Sequence, residues 1–188
     1  MLILGSKSPR RKEILDLYNI PFRVYAKDID ENVKEFDPIK YAMKTAEKKG
    51  KSISCDFPEE IVLCADTIVT INNVILGKPK SKEEAYQMIS MLSGKDHYVV
   101  TGVYLGKKDK YELFYETTIV SVKKLTPEEI EEYINTKEPY DKAGAYGIQG
   151  LFGKCVTIKE GSYYNVMGLP IERVIVELSK GVKVWIGI

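Results

Sequence analysis

The sequence predicts an α/β fold with a mixed, twisted sheet flanked by helices, and two observations carry that prediction. The elements come in mixed order: short apolar runs alternate with helical segments, and long strand-like runs stand side by side between helices. That order favours a mixed sheet over a simple doubly wound one. The second observation is balance. With 188 residues, 44% hydrophobic and 29% charged, the chain can bury a core as one domain over residues 1–188, with room for two lobes.

The elements follow in order. Leu2, Ile3 and Leu4 read as a short buried strand. Ser8 is expected to cap the next helix, and Pro9 suits its first position, where a missing N–H costs nothing. Ile14, Leu15 and Tyr18 share one face of it. Residues 22–26 read as a second strand, and the acidic loop Asp28-Ile29-Asp30-Glu31 follows. Asp37-Pro38 opens a second helix that Gly50 is expected to stop. Residues 61–71 are apolar and partly β-branched, interrupted by Asp66, and Asn72-Asn73 turns them into Val74-Ile75-Leu76. Ser81 with Glu84 reads as a capping box, with Ala85, Met88, Ile89 and Leu92 as the core stripe. Ser93-Gly94 ends that helix. Residues 98–105 and 113–122 are two long strands, joined by a turn near 107–110. Thr126-Pro127 with Glu129 caps a fourth helix bearing Ile130, Tyr133 and Ile134. Beyond a glycine-rich stretch at 142–153, residues 156–158 read as a strand. Leu169-Pro170 opens a last helix to about Ser179, and residues 182–186 read as a closing strand.

Charge and cysteine usage exclude several function classes. Lys plus Arg number 28 and Asp plus Glu 27, a net charge of +1, so no global field points to nucleic acid or a membrane surface. Cys55, Cys64 and Cys155 are odd in number and contain no Cys-x-x-Cys pair, which argues for reduced thiols in the cytoplasm. No signal peptide is legible, and no apolar stretch approaches the ~20 residues of a membrane span. A lone histidine, His97, gives a metal cluster or histidine triad poor support and suggests a structural or surface role.

Four segments could carry chemistry. In Gly5-Ser6-Lys7-Ser8-Pro9-Arg10-Arg11, three cations crowd a helix N-terminus against its macrodipole, which makes sense around a phosphate; three solvated basic residues are the alternative. Asp28, Asp30 and Glu31 supply hard oxygen ligands for Mg²⁺ or Mn²⁺, or form an ordinary solvated loop. Asp66 within Leu63-Cys64-Ala65-Asp66-Thr67-Ile68-Val69 is costly unless paired or used, whether by a metal, a lysine or a water. Gly77-Lys78-Pro79 brings one such lysine. In residues 138–150, Gly144, Gly147 and Gly150 let a backbone approach a ligand, and Gln149 can donate and accept as a base edge requires; an irregular loop is the alternative.

Together these segments resemble the Maf family, the septum-formation-inhibitor-like nucleotide pyrophosphatases. The matching stretches are Ser6-Lys7-Ser8-Pro9-Arg10-Arg11, Ala65-Asp66-Thr67-Ile68-Val69, Gly77-Lys78-Pro79, Leu92-Ser93-Gly94-Lys95-Asp96-His97 through Thr101-Gly102-Val103, residues 138–150, and Gly161-Ser162-Tyr163-Tyr164 through Gly168-Leu169-Pro170. They stand in family order over nearly the whole chain and fade after about Glu177. Gly5 stands where many members carry Ala, a difference expected to matter little.

The resemblance implies a two-lobed Maf/ITPase-like α/β fold with a central cleft. It implies hydrolysis of a nucleoside triphosphate to the monophosphate and pyrophosphate with Mg²⁺ or Mn²⁺, a role in clearing the nucleotide pool. Asp66 matches the general base, and Glu31, Lys48 and Lys78 match other catalytic positions. Lys48 and Lys49 are adjacent, so an alignment slip of one residue exchanges them. Glu31 and Asp66 are the implied metal ligands. Arg10, Thr67 and Gln149 match the specificity positions of the branch acting on dTTP and UTP, with Ser8 and Arg11 also on the substrate. The branch resembling a 7-methyl-GTP pyrophosphatase differs at the specificity positions. A monomer or homodimer is expected. Two rival readings are a nucleotide-binding regulator of cell division and septum formation without essential catalysis, and a nucleic-acid-binding module, which the near-zero charge disfavours.

Overall fold

Hydrogen-bonded strands make one seven-stranded sheet, in the order Phe22–Val24, Leu2–Leu4, Ile61–Ile71, Asp96–Lys107, Lys110–Val122 and Val156–Glu160, with Val74–Leu76 paired to Ile61–Ile71. The computed structural model describes residues 1–29 and 33–185, and of 181–185 the backbone alone. The strands are β1 Leu2–Leu4, β2 Phe22–Val24, β3 Ile61–Ile71, β4 Val74–Leu76, β5 Asp96–Lys107, β6 Lys110–Val122 and β7 Val156–Glu160. The helices are α1 Pro9–Leu17, α2 Pro38–Asp56, α3 Lys82–Leu92, α4 Pro127–Ile134, α5 Tyr163–Met167 and α6 Ile171–Trp185. β1 runs parallel to both β2 and β3, whereas β4 and β7 run antiparallel to their neighbours β3 and β6. The sheet is therefore mixed, as the element order predicts.

Tertiary contacts divide the chain into two compact units. One comprises Met1–Asp66, Thr101–Glu116 and Gly168–Ile188; the other comprises Thr67–Val100 and Thr117–Met167. The chain passes between them four times: inside β3 between Asp66 and Thr67, inside β5 between Val100 and Thr101, inside β6 between Glu116 and Thr117, and between Met167 and Gly168. Each unit has its own core. Ile3, Ile53, Val62, Cys64 and Tyr104 pack in the first. The second buries Val69, Ile89, Leu92, Ile130, Tyr146 and Phe152 among others.

Local chemistry sets most boundaries. Asp37 caps α2 by accepting the Lys40 N–H at 2.9 Å. Thr126 and Glu129 form a full capping box on α4. The box expected on α3 is half made: Ser81 accepts the Glu84 N–H, but the Glu84 carboxylate takes the Lys80 N–H instead of Ser81's. Asn72 and Asn73 both have positive φ, 51° and 62°, as a tight hairpin turn demands.

Four expectations need correction. Gly50 does not stop α2, which runs on to Asp56. It is a contact glycine instead: a Cβ there would collide with the ring of buried Tyr104 on β5. Residues 182–185 continue α6 where a strand was expected, and Ile186 lies outside the described residues. The spacing of Ile171, Val174, Leu178, Val182 and Trp185 is helical, and the Val-x-Val alternation is incidental to it. Ser8 occupies the cap position of α1, but its side chain makes no capping bond; its N–H donates to Ser6 Oγ at 3.2 Å. The strand expected over residues 22–26 ends at Val24.

Candidate active site

In the first unit the β1–α1 turn is tied down from two sides. The Gly5 N–H donates to Leu63 O on β3 at 2.9 Å, extending the parallel pairing. Buried Ser6 offers Oγ to the Arg11 Nη1 at 3.1 Å, while Arg11 Nε donates to Gly168 O at 2.8 Å. Arg11 thus bridges the turn and the segment leading into α6. Lys7 pairs with Asp28 at 2.9 Å on the surface, and that ammonium holds the Asp28 carboxyl below its usual range. Ser8 and Arg10 are half-buried. Of the three cations expected around a phosphate, Lys7 and Arg11 make the contacts just described, and Arg10 stands half-buried at the start of the helix.

Gly5 is less interchangeable than its sequence position suggests. A Cβ there would overlap the Cys64 sulfur and lie 2.6 Å from Ile53 Cδ1. Burial pushes the Cys64 thiol up to about 12, so this cysteine is a packing group, not a nucleophile. The cysteines are all free, with Cys155 also buried and Cys55 exposed.

Asp66 sits at the end of an apolar run on β3 that includes Val62, Leu63, Cys64 and Ala65, all buried. Its Oδ1 accepts a hydrogen bond from Lys49 Nζ at 2.9 Å, and both side chains are only 15% exposed. A carboxylate in such a setting needs a charge partner, and the sequence alone leaves open which group supplies it. The partner is Lys49. Lys48, the expected catalytic lysine, is exposed on the helix. Adjacent helical residues point about 100° apart, so only one of the two can face β3. Close packing decides which. A Cβ on Gly102 of β5 would strike the Ala42 carbonyl of α2, and Gly50 of α2 leaves room for Tyr104 of β5. These two glycines let helix and sheet approach closely, and Lys49 is next to one of them. Glu31 lies outside the described residues.

The second unit carries Thr67, Lys78 and Gln149. Thr67 is half-buried, and Lys78 and Gln149 are exposed. Gly77 O accepts the Gly144 N–H at 3.0 Å, which holds the segment of Lys78 against the glycine-rich stretch. That stretch is folded into three short 3-10 turns, Glu138–Asp141, Ala143–Ala145 and Leu151–Cys155. Its glycines were expected to admit a ligand, yet their close approaches are internal: a Cβ on Gly150 would overlap the Glu138 carboxylate, and one on Gly144 would lie 2.8 Å from Val69. Sequence reasoning gives Glu138 no role of its own. In the fold its carboxylate accepts the Leu151 N–H at 2.7 Å, the Phe152 N–H at 3.4 Å and the Tyr133 hydroxyl at 3.1 Å. The only signal was an acid thirteen residues ahead of a helical turn that no sequence pattern announced.

His97 is fully buried, with Nε2 2.7 Å from the Tyr146 hydroxyl and Nδ1 without a hydrogen-bond partner among the described residues. Burial pushes its pKa down to about 4. It is a neutral core residue, in keeping with a structural role.

Among the described residues, no three His, Cys, Asp or Glu side chains converge as a metal cage. A Mg²⁺-type ion is commonly held by one or two carboxylates together with substrate phosphates. The hard, half-buried carboxylate of Asp66 fits that donor chemistry. No helix among the described residues is long and apolar enough to cross a membrane.

The model of the Maf-like protein family matches residues 1–181. The dTTP/UTP pyrophosphatase of Bacillus cytotoxicus is 49% identical over 179 residues, covering 95% of this chain and 94% of its own. The dTTP/UTP pyrophosphatase of Acholeplasma laidlawii is 44% identical over 180 residues, 95% of each chain. Among solved structures, the Staphylococcus aureus Ham1 protein overlaps 64% of this chain and 71% of its own at 13% identity, with a TM-score of 0.46, too loose to bear on the fold.

Proposed function

The chain belongs to the Maf family, and on that premise we propose that it hydrolyses dTTP and UTP, modified pyrimidine nucleotides included, to the monophosphate and pyrophosphate. The carrying observation is the Asp66–Lys49 pair at the end of an apolar run. Water attacks the α-phosphorus, the bond to the bridging oxygen of the β-phosphate breaks, and the proton of the water passes to Asp66. Lys49 engages one oxygen of Asp66 and orients the carboxylate, so the other can receive that proton. Pyrophosphate leaves readily once its charge is met, so the protein mainly positions and neutralises. Arg10 and Lys78 meet the phosphates; Arg11 acts through the turn that it ties to Ser6 and Gly168, beside Ser8. Thr67 and Gln149 read the base. Mg²⁺ or Mn²⁺, held by Asp66 with Glu31, would neutralise phosphate charge when bound.

Free cysteines suit a reducing cytoplasm, and the balanced charge suits a small anionic substrate over nucleic acid. The test is a panel of nucleoside triphosphates with Mg²⁺ or Mn²⁺, assayed for pyrophosphate. Release from dTTP and UTP ahead of CTP and the purine nucleotides is expected. Nucleotide binding with no metal-dependent turnover would favour a regulatory protein instead.

A further inference from the structure

A base-reading amide is useful only if its backbone is already in place, because ordering a loop on binding erodes discrimination. Gln149 is exposed, yet the chain on both sides of it is pinned to one short segment, residues 138–142. Ahead of it, Gly147 packs on Lys142, where a Cβ would lie 2.7 Å from Cε. Behind it, Gly150 packs on the Glu138 carboxylate, which also takes the N–H groups of Leu151 and Phe152. The segment is itself braced. Lys142 Nζ donates to Glu138 O at 2.8 Å and to Asp141 Oδ1 at 2.6 Å, and the Tyr133 hydroxyl of α4 donates to Glu138 Oε1.

From this geometry we infer that Glu138 is a positioning residue for pyrimidine selectivity: it fixes the backbone that presents Gln149, and touches neither phosphate nor reacting water. The inference rests on the proposed base-reading role of Gln149. Glu138 meets neighbouring N–H groups and a hydroxyl, and a carboxylate spent on backbone amides is a clamp. Its removal frees residues 147–152 without altering Asp66 or Lys49.

The test combines two readouts on Glu138→Ala and Glu138→Gln. The first is amide hydrogen exchange at Leu151 and Phe152, which needs no substrate. The second is the kinetics of pyrophosphate release from UTP and CTP. In Glu138→Ala, Leu151 exchange accelerates, KM for UTP rises about tenfold with kcat nearly unchanged, and preference for UTP over CTP collapses. Glu138→Gln, whose amide oxygen still accepts one N–H, restores most of the preference. In the Glu138→Ala, Gln149→Ala double variant, selectivity falls no further than in Gln149→Ala alone. Unchanged Leu151 exchange, or a loss confined to kcat, overturns the assignment. If the alanine variant does not fold, Glu138→Gln decides alone: a partial loss of selectivity with partly accelerated exchange supports the clamp, and wild-type behaviour in both readouts overturns it. If the wild-type protein releases no pyrophosphate from any nucleotide, the functional reading fails, while exchange still reports whether the clamp exists.

Discussion

Each unit sinks a carboxylate partway into the fold, and the two are satisfied differently. In the first unit Asp66 is met by the Lys49 ammonium. In the second, Glu138 is met by two backbone N–H groups and a tyrosine hydroxyl. Backbone donors belong to the fold and cannot leave. A lysine on a four-carbon stem can shift as the charge around it changes. The type of partner thus separates a carboxylate held by a mobile side chain from one held by the backbone itself.

The comparison can be broken most directly at Asp66. Asp66→Asn should lower pyrophosphate release about a thousandfold in protein that still folds, as far-UV circular dichroism would show, with the thermal transition lowered by loss of the Lys49 pair. Wild-type turnover in the purified variant would remove Asp66 from the reaction. The second unit offers a pH test through the lone histidine of the chain. The pKa of His97 is held at about 4 by burial, below the ordinary value of 6.5, so the unfolded chain binds more protons between those values. Stability is therefore full above about pH 6.5 and declines as pH falls toward 4, by about 3 kcal/mol. Urea midpoints at pH 7 and 4.5 measure it, and His97→Leu should flatten that decline.

A third test discriminates neighbouring lysines. Lys49→Ala should cut kcat/KM about thirtyfold, whereas Lys48→Ala stays within about twofold. Equal losses would mean that the Asp66 pairing does not set the roles. Last, Gly5→Ala should cost about 1–2 kcal/mol through overpacking against Cys64 and Ile53. The cost should shrink in a Cys64→Ala background, as a double-mutant cycle of denaturation midpoints would show.

Where local chemistry decides structure, the sequence was readable. Asp37-Pro38, Thr126-Pro127 with Glu129, and Asn72-Asn73 each satisfy or bend their own backbone, and each appears where its residues place it. Gly50 reads as a helix stop because its reason for being glycine is a ring on a strand more than fifty residues away. The run at 182–185 reads as a strand because its alternation is local and its helical period is not. That Asp66 needs a partner was legible, because an acid in an apolar run is costly wherever it folds. Which of Lys48 and Lys49 meets Asp66 was not, since burial distinguishes them only in the folded chain. Glu138 drew no role of its own because two of its three partners are backbone N–H groups, which no side-chain pattern records.

The paired glycine contacts of α2, at Ala42 with Gly102 and at Gly50 with Tyr104, bear on how this segment can change length. One residue inserted between 42 and 50 would advance the rest of the helix by about 1.5 Å and rotate it by about 100°. Gly50 would turn away from the ring and Lys49 away from Asp66 together. The span between the two contacts therefore behaves as a fixed ruler: substitutions can accumulate along its outer side, whereas insertions and deletions within it cannot.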